Sequence, residues 1–229
     1  MELLKKLAWT IFLLLLFGGL IFGGIYLRNI LTAKNYSDYW QQQAIDSGDY
    51  IYVVLGDSTA LGIGSTDPKK SYPGIIKERL QESNGKLVKI INLSTLDADI
   101  QKVQVEQLPK LQIYKPDLVT ISVGQKDIDQ GRDTATISKD LRSILEKLPN
   151  HVSYIAELPA TYDDRKNLKI KDVNLQLRLD GQEIGVNVVP LYDATKIGIT
   201  ATTYYDWDFY HPSDKGHAIW ADAFWNQIE

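Results

Sequence analysis

The sequence reads Val53-Val54-Leu55-Gly56-Asp57-Ser58-Thr59-Ala60-Leu61-Gly62-Ile63-Gly64 at the start of its C-terminal three quarters. An apolar, β-branched run stops at a glycine and is followed at once by an acid and a serine, which predicts a β-strand ending in a loop. In an open α/β sheet, ligands bind at the carboxyl ends of the strands, so this loop would present Ser58 where chemistry can occur. An Asp-Ser pair after a strand is also typical of a turn or a helix N-cap, so the stretch alone leaves both interpretations open.

A second candidate stretch, Asp206-Trp207-Asp208-Phe209-Tyr210-His211-Pro212, lies near the C-terminus. It places a carboxylate three residues before a histidine, among aromatic residues that exclude water. A serine hydroxyl needs a base to take its proton, and the base works best when a carboxylate fixes its tautomer. Ser58, His211 and Asp208 are therefore candidates for nucleophile, base and orienting acid, if the fold brings them together. Asp206 is a possible substitute for the acid.

Together these two stretches resemble the first and last motif blocks of the SGNH/GDSL hydrolase superfamily. The resemblance rests on Gly56-Asp57-Ser58-Thr59, the two glycines that follow, and Asp208-x-x-His211-Pro212, and it runs from about residue 50 to the C-terminus. It implies that Ser58 is the nucleophile and that the last block supplies the acid and the base. The implied activity is hydrolysis of acyl or acetyl esters, from lysophospholipid-type lipids or cell-envelope glycans, without a cofactor. The Gly-x-Ser-x-Gly spacing of the nucleophile elbow is absent.

The two middle blocks of the superfamily are altered in this chain. Ser94 stands where the second block has a glycine whose N–H enters the oxyanion hole, and Lys126 replaces the asparagine of the third block, here Gly124-Gln125-Lys126-Asp127. The resemblance thus implies the N–H groups of Ser58 and Ser94 as oxyanion donors, with Lys126 as a third candidate. Loss of one such donor costs roughly a hundred- to a thousand-fold in turnover. A weakened or inactive glycan- or partner-binding domain on the same fold therefore remains the alternative, and an acyltransferase is a third option.

Further residues of the motif blocks are expected beside the substrate. They are Asp57, Gly62, Gly124 and Asp127. Asp57 is expected to hydrogen-bond the backbone of its own loop, and the glycines to let the loops pass close to the substrate. No metal site is predicted, because the three histidines have no spacing that pairs them as ligands and the chain has no cysteine. His151 and His217 are interpreted as structural.

The N-terminal segment has the composition of a membrane span. Lys5-Lys6 precede residues 7–27, which carry no charge, and about twenty apolar residues cross a bilayer as a helix. A cleaved signal peptide would be shorter and would end in a small-residue cleavage site, for which Leu31-Thr32-Ala33 is the best match. The sequence therefore predicts a short flank over 1–6, a single-pass signal anchor over 7–27, a polar connector over 28–49, and an SGNH-like hydrolase domain over 50–229 outside the cytoplasm.

The remaining sequence predicts one α/β domain. Strand candidates are Tyr50–Leu55, Leu87–Leu93, Leu118–Val123, Val152–Leu158 and Val186–Leu191, and helix candidates are Tyr72–Ser83, Ile100–Ile113, Ile137–Leu148, 164–184 and Ser213–Ile228. Alternating strands and helices predict a five-stranded parallel sheet between two helical layers, a flavodoxin-like three-layer sandwich. Segment 164–184 also fits a strand pattern, but the topology favours a helix. The net charge of −4 argues against nucleic acid as a partner.

Overall fold

Five parallel strands form the centre of the structure, a computed structural model that describes residues 2–45, 47–199 and 204–229. The strands are β1 (Tyr50–Gly56), β2 (Val88–Asn92), β3 (Leu118–Ser122), β4 (Ser153–Ala156) and β5 (Asn187–Val189). Their order in the sheet is β2-β1-β3-β4-β5. The predicted parallel sheet is thereby confirmed, and the order reverses direction at β1, which places the loop after β1 at the switch point where ligands bind in such sheets.

Ten α-helices surround the sheet in the described residues. They are α1 (Glu2–Ile45), α2 (Ser58–Leu61), α3 (Tyr72–Asn84), α4 (Ile100–Lys102), α5 (Leu108–Tyr114), α6 (Gln125–Asp129), α7 (Thr134–Leu145), α8 (Asp164–Ile184), α9 (Leu191–Ile199) and α10 (Asp214–Ile228). The ambiguous segment is helical: Val173 and Leu177 are buried while Leu175 is exposed. The helix predicted over Ile100–Ile113 is interrupted by a π-helical turn, Val103–Gln107. Pro109 lies two residues after this turn and lacks the N–H that a continuous α-helix would use there.

Successive residues of β1 pack into two separate apolar layers. Val53 and Leu55 face the layer formed with α5, α7 and α8. Tyr52 and Val54 face the layer formed with α3, α10 and the last turns of α1. This alternation follows from the two-residue repeat of a strand and produces the predicted three-layer arrangement.

Helix α1 has two parts with different environments. Its N-terminal part is long and apolar enough to cross a membrane, and its most apolar window is not buried in the protein. In its C-terminal part Ala33, Tyr36 and Trp40 are buried against the domain. The Tyr36 hydroxyl donates a hydrogen bond to the Ser65 carbonyl (2.7 Å), and the Trp40 indole N–H donates to the Leu61 carbonyl (2.9 Å).

The segment predicted as a polar connector, 28–49, is therefore helical as far as Ile45. Apolar residues spaced three and four apart give this part of the helix a buried stripe that packs on the domain. The bounds 28–49 of the connector stay a prediction. Packing on the domain was one of the two uses expected for the aromatic residues of this segment.

We predict that Trp40→Ala lowers the free energy of unfolding by about 3–5 kcal/mol, since it empties a fully enclosed site and leaves the Leu61 carbonyl without its donor. Denaturant unfolding of the full chain in detergent micelles measures this. Ile45→Ala, at an exposed position on the same helix, should change stability by less than about 0.5 kcal/mol. A loss below about 1 kcal/mol for Trp40→Ala would show that α1 does not pack on the domain in solution.

Candidate active site

Ser58 lies just after the end of β1 and is the first residue of α2. Asp57 is the N-cap residue, and its Oδ1 accepts a hydrogen bond from the Thr59 N–H at 2.9 Å. Gly56 has φ +139°, and a Cβ there would lie 2.0 Å from the Ser122 carbonyl oxygen, so only glycine permits this turn. The two interpretations of the Asp-Ser pair are thus compatible: the N-cap fixes the turn that presents Ser58.

The side chain of Gln107 hydrogen-bonds the backbone of Gly56 and stabilises this turn. Its side-chain amide accepts from the Gly56 N–H (2.8 Å) and donates to the Gly56 carbonyl (2.9 Å). Gln107 is buried in the π-helical turn before α5. Sequence reasoning missed this residue, because a single glutamine in a helical pattern carries no signal that separates it from a surface residue.

His211 lies in the loop before α10 and faces Ser58. Its Nε2 is 2.9 Å from the Ser58 Oγ, and its Nδ1 is 2.6 Å from Asp208 Oδ2. The other carboxylate oxygen, Oδ1, accepts the backbone N–H groups of Tyr210 (3.0 Å) and His211 (2.9 Å). The structure therefore brings together the three residues predicted from the two stretches, hydrogen-bonded in series. Asp206, the possible substitute acid, instead pairs with Arg28 at 2.7 Å.

Close packing of the loop that contains Gly64 against the loop of His211 makes the contact between Ser58 and His211 possible. Gly64 has φ +96°, and a Cβ there would lie 2.2 Å from the Pro212 carbonyl oxygen and 2.8 Å from the His211 Cβ. Any side chain at this position would separate the loop of Ser58 from that of His211. Gly64 thus serves the contact between the loops rather than the approach of a substrate.

The two carboxylates of the site have opposite electrostatic environments. Burial would raise the pKa of Asp208, but the hydrogen bond and charge of His211 and the two backbone N–H groups outweigh it and hold this pKa well below its usual range. Burial raises the pKa of Asp57 to about 6, against the opposing N–H groups of Thr59 and Ala60 and the charge of His211. Asp208 is accordingly ionised at neutral pH and can stabilise a positive charge on His211.

Asp57 makes the stability of the protein depend on pH. Its pKa is higher in the folded state than the ordinary 3.8, so the folded state retains the proton more tightly and loses stability as pH rises from about 4 to about 6. Asp57→Asn keeps an oxygen for the N-cap and removes the charge. We expect it to be more stable than the wild type at pH 7, by on the order of 3 kcal/mol at most, and to show no gain at about pH 4. Denaturant unfolding at both pH values tests this, and a pH-independent difference would contradict it.

The predicted oxyanion donors are not all directed at Ser58. The Ser94 N–H donates to Asn92 Oδ1 (3.0 Å), and the Lys126 Nζ donates to the Asp97 carbonyl (2.7 Å). The Ser58 N–H is at the first position of α2, where a helix provides no internal acceptor. The Ser58 N–H thus has no acceptor within its own helix, while the Ser94 N–H and the Lys126 ammonium have partners within the protein.

The contact of Lys126 with Asp97 leads to a kinetic prediction. Lys126→Met retains the aliphatic stem and removes the ammonium group, and we expect kcat to fall by less than about tenfold because the ammonium is held by a carbonyl oxygen. A fall of roughly a hundredfold or more would identify Lys126 as an oxyanion donor. Steady-state hydrolysis of a p-nitrophenyl ester measures the change, with the exposed Lys139→Met as the matched control.

Two of the four residues expected beside the substrate lie elsewhere. Asp127 is fully buried, accepts the Ile100 N–H at 3.1 Å and forms an ion pair with Arg132, so it is a structural residue. Gly62 ends α2 with φ +108°, and its missing side chain faces Ser71 and Tyr36. Neither residue lines the two cavities that contain Ser58, so their predicted contact with substrate stays a prediction without structural support.

Asp57 and Gly124, the other two residues expected beside the substrate, lie close to Ser58 or to the cavity that it lines. Asp57 lines the cavity beside Ser58 as well as capping α2. Gly124 precedes α6 with φ +116° and packs against Leu158, which also lines that cavity.

His217 is buried, contacts the Ile63 carbonyl through Nε2 (3.0 Å), and has a pKa lowered by burial to about 4. The part of the chain that the structure describes contains no cluster of three residues able to bind a metal.

Two cavities adjoin Ser58. The larger, about 230 Å³, is lined mainly by apolar and aromatic groups. Tyr162, Phe209 and Tyr210 are exposed at its mouth, whereas Leu158 and Ala160 are buried in its wall. The smaller, about 170 Å³, lies between Ser58, His211 and α1, which contributes Tyr26 and Asn29. Sequence reasoning missed these two residues of α1, because Tyr26 lies within the apolar segment 7–27 and Asn29 follows closely after it.

A parallel α/β sandwich with a serine, a histidine and an aspartate hydrogen-bonded in series at the strand ends defines the class of SGNH-type serine hydrolases. The sequence agrees with this class, since residues 54–219 match the profile of the GDSL-like Lipase/Acylhydrolase family. The chain belongs to this family and is a serine ester hydrolase. No curated protein is significantly similar to it in sequence.

Solved structures share its fold at low sequence identity. The lipase Lip_vut3 from a goat rumen metagenome is 18% identical, with 77% of this chain and 96% of that one covered and a TM-score of 0.65. A lipase/acylhydrolase from Enterococcus faecalis is 20% identical, covering 78% and 95%, with a TM-score of 0.62. Axe2, an acetylxylan esterase from Geobacillus stearothermophilus, is 17% identical, covering 80% and 95%, with a TM-score of 0.61. At these identities the likeness shows the shared fold.

Proposed function

We propose that the chain is a membrane-anchored serine esterase in which Ser58 is the nucleophile, His211 the general base and Asp208 the residue that orients His211. The observation that carries this proposal is the series of two hydrogen bonds from Asp208 to His211 (2.6 Å) and from His211 to Ser58 (2.9 Å). The environment of Asp208 keeps it ionised, which is the state that an orienting acid requires.

The reaction follows from these contacts. Ser58 Oγ attacks the ester carbonyl carbon while its proton passes to His211 Nε2, and the Ser58 N–H stabilises the oxyanion. The tetrahedral intermediate collapses, the alcohol leaves with the proton from His211, and an acyl-serine remains. Water then attacks the acyl-serine, again with His211 as base, and releases the carboxylic acid. No step requires a cofactor.

The anchor is proposed from the two parts of α1. Residues 7–27 would cross the membrane, and the same helix continues without interruption into turns that pack on the domain. Cleavage after Leu31-Thr32-Ala33 would cut this helix beside the buried Ala33 and remove Asn29 from the site. These contacts favour a retained anchor over a cleaved signal sequence. The location of the catalytic domain outside the cytoplasm is proposed from Lys5 and Lys6, which precede the span.

The substrate that the cavity fits best is an acyl ester of a lysophospholipid-type lipid. The larger cavity has aliphatic and aromatic lining residues beside polar and charged ones such as Asp129 and Lys166, and Phe209 at its rim is 80% exposed. The apolar part of this lining suits an aliphatic chain. The first helical turn after the proposed span borders the site, so a lipid ester at the membrane surface has the shortest path to Ser58. Acetyl esters of envelope glycans are the other substrates implied by the family resemblance.

A chain-length series tests the proposal on the full-length protein in detergent micelles. We expect hydrolysis of p-nitrophenyl octanoate with a higher kcat/KM than the acetate, release of fatty acid from lysophosphatidylcholine, and fluorophosphonate labelling of the peptide that contains Ser58. A preference for acetate and for acetylated xylan would overturn the lipid substrate alone. Preferential transfer of the acyl group to added glycerol over water would redefine the chain as an acyltransferase.

The second candidate function is a weakened or inactive domain that binds a glycan or protein partner. It is favoured by the partners of Ser94 and Lys126, which leave one well-placed oxyanion donor. Absence of both turnover and labelling across the whole series would support this function and overturn the esterase.

A further inference from the structure

The first turn of α1 beyond the predicted membrane span contacts the loop that carries Asp208 and His211. Asn29 Nδ2 donates a hydrogen bond to Asp208 Oδ2 at 3.2 Å. This is the same oxygen that accepts from His211 Nδ1. The two other hydrogen bonds of the carboxylate come from backbone N–H groups of its own loop. Asn29 therefore provides the contact of Asp208 that comes from a different element of the fold.

The neighbouring residue, Arg28, secures the same loop at a second point. Its guanidinium forms an ion pair with Asp206 (2.7 Å) and lies 4.5 Å from the centre of the Trp207 ring. An arginine on an aromatic face combines charge attraction with packing. The loop is thus fixed to α1 at three consecutive residues, Asp206, Trp207 and Asp208.

Asn29 is held in place by the buried stripe of α1. Asn29, Ala33, Tyr36 and Trp40 are four, three and four residues apart, which places them on one face of the helix. Tyr36 and Trp40 hydrogen-bond the carbonyls of Ser65 and Leu61, in the segment that begins with Ser58. One helix therefore contacts both the loop of the nucleophile and the loop of the base.

We propose that Asn29 is a positioning residue of the active site, through which the anchor helix fixes Asp208 and hence His211. This rests on the proposed roles of Ser58, His211 and Asp208 and adds a residue of α1 to them. The amide donor keeps Oδ2 directed at His211 and balances part of its negative charge. It also makes the alignment of the catalytic groups depend on the docking of the anchor helix.

The proposal is tested in full-length protein in detergent micelles by steady-state hydrolysis of p-nitrophenyl octanoate. For Asn29→Ala we expect kcat to fall roughly 10- to 100-fold with KM changed less than about threefold, because a hydrogen bond to a charged group is lost without loss of a substrate contact. Asn29→Asp has the same shape but sets a carboxylate against Asp208, so its kcat should fall further. Asn35→Ala, the same substitution at an exposed position of α1, should leave both constants unchanged.

Three outcomes separate this proposal from the proposed function. If Ser58→Ala abolishes turnover and both Asn29 variants match Asn35→Ala, the positioning role is overturned and the esterase stands. If Ser58→Ala retains turnover, the esterase assignment itself fails. If Asn29→Ala raises KM in proportion to its loss of kcat/KM with kcat intact, Asn29 binds substrate instead, which also overturns the positioning role.

Discussion

Replacement of Ser58 by alanine is expected to lower kcat/KM for p-nitrophenyl octanoate by at least about 10⁴-fold. The Oγ is the atom that His211 Nε2 contacts at 2.9 Å, and alanine offers no atom to attack the ester carbonyl. Without Ser58 no acyl-enzyme can form, and His211 could only activate water for direct attack on the ester. Active-site titration with a fluorophosphonate should fall to background in the same variant.

A matched control separates loss of the nucleophile from loss of the fold. Ser83→Ala makes the same change at an exposed position of α3 and should retain full activity. The free energy of unfolding of Ser58→Ala should stay within about 1 kcal/mol of the wild type, since no cap or core residue is removed. Retention of more than a tenth of the wild-type rate would exclude Ser58 as nucleophile.

The parallel sheet could be predicted because its signal is local and repeated. Each strand is a short apolar run, each is followed by a helical pattern, and parallel pairing follows from that alternation. The meeting of Ser58 with His211 was implied by the family resemblance alone, because a separation of 153 residues neither supports nor excludes a contact.

The oxyanion side of the site could not be predicted in the same way. Whether the Ser94 N–H faces a substrate or Asn92 depends on backbone dihedrals that neither residue type fixes. The contact of Lys126 with the Asp97 carbonyl depends on a loop that lies 29 residues earlier in the chain. The buried position of Asp127 could not be predicted either. Its partner Arg132 comes close to it because the chain turns after the end of α6.

The contact of α1 with the active-site loop was not predicted, because the apolar segment of this helix is a stronger signal than the stripe that follows it. Residues 7–27 are apolar on every side, whereas the stripe of Ala33, Tyr36 and Trp40 is narrow and lies among polar residues. Asn29 and Asn35 are indistinguishable by composition or by neighbours in the chain. Only the contact with Asp208 separates them, and that contact joins residues 179 positions apart.

Asp208→Asn should be the most damaging substitution that leaves the nucleophile and base in place, with an expected fall in kcat of about 10⁴-fold. The local hydrogen bonds determine how the new amide is oriented. Oδ1 of Asp208 accepts two backbone N–H groups, from Tyr210 and His211, and only the oxygen of an asparagine can replace it there. The NH₂ group must then face His211 Nδ1, where the carboxylate oxygen stood.

This orientation reverses the tautomer of His211. An NH₂ group donates to Nδ1, so the ring proton moves to Nε2, and Nε2 can no longer accept the proton of Ser58. Asp206→Asn is the matched control: it changes the other acid of the loop, whose partner is Arg28 rather than His211, and should reduce kcat by less than about tenfold. Burst and steady-state kinetics of the full-length variants measure both effects. If Asp206→Asn were the more damaging change, the orienting acid would be Asp206, and the role of Asn29 would fail with that of Asp208.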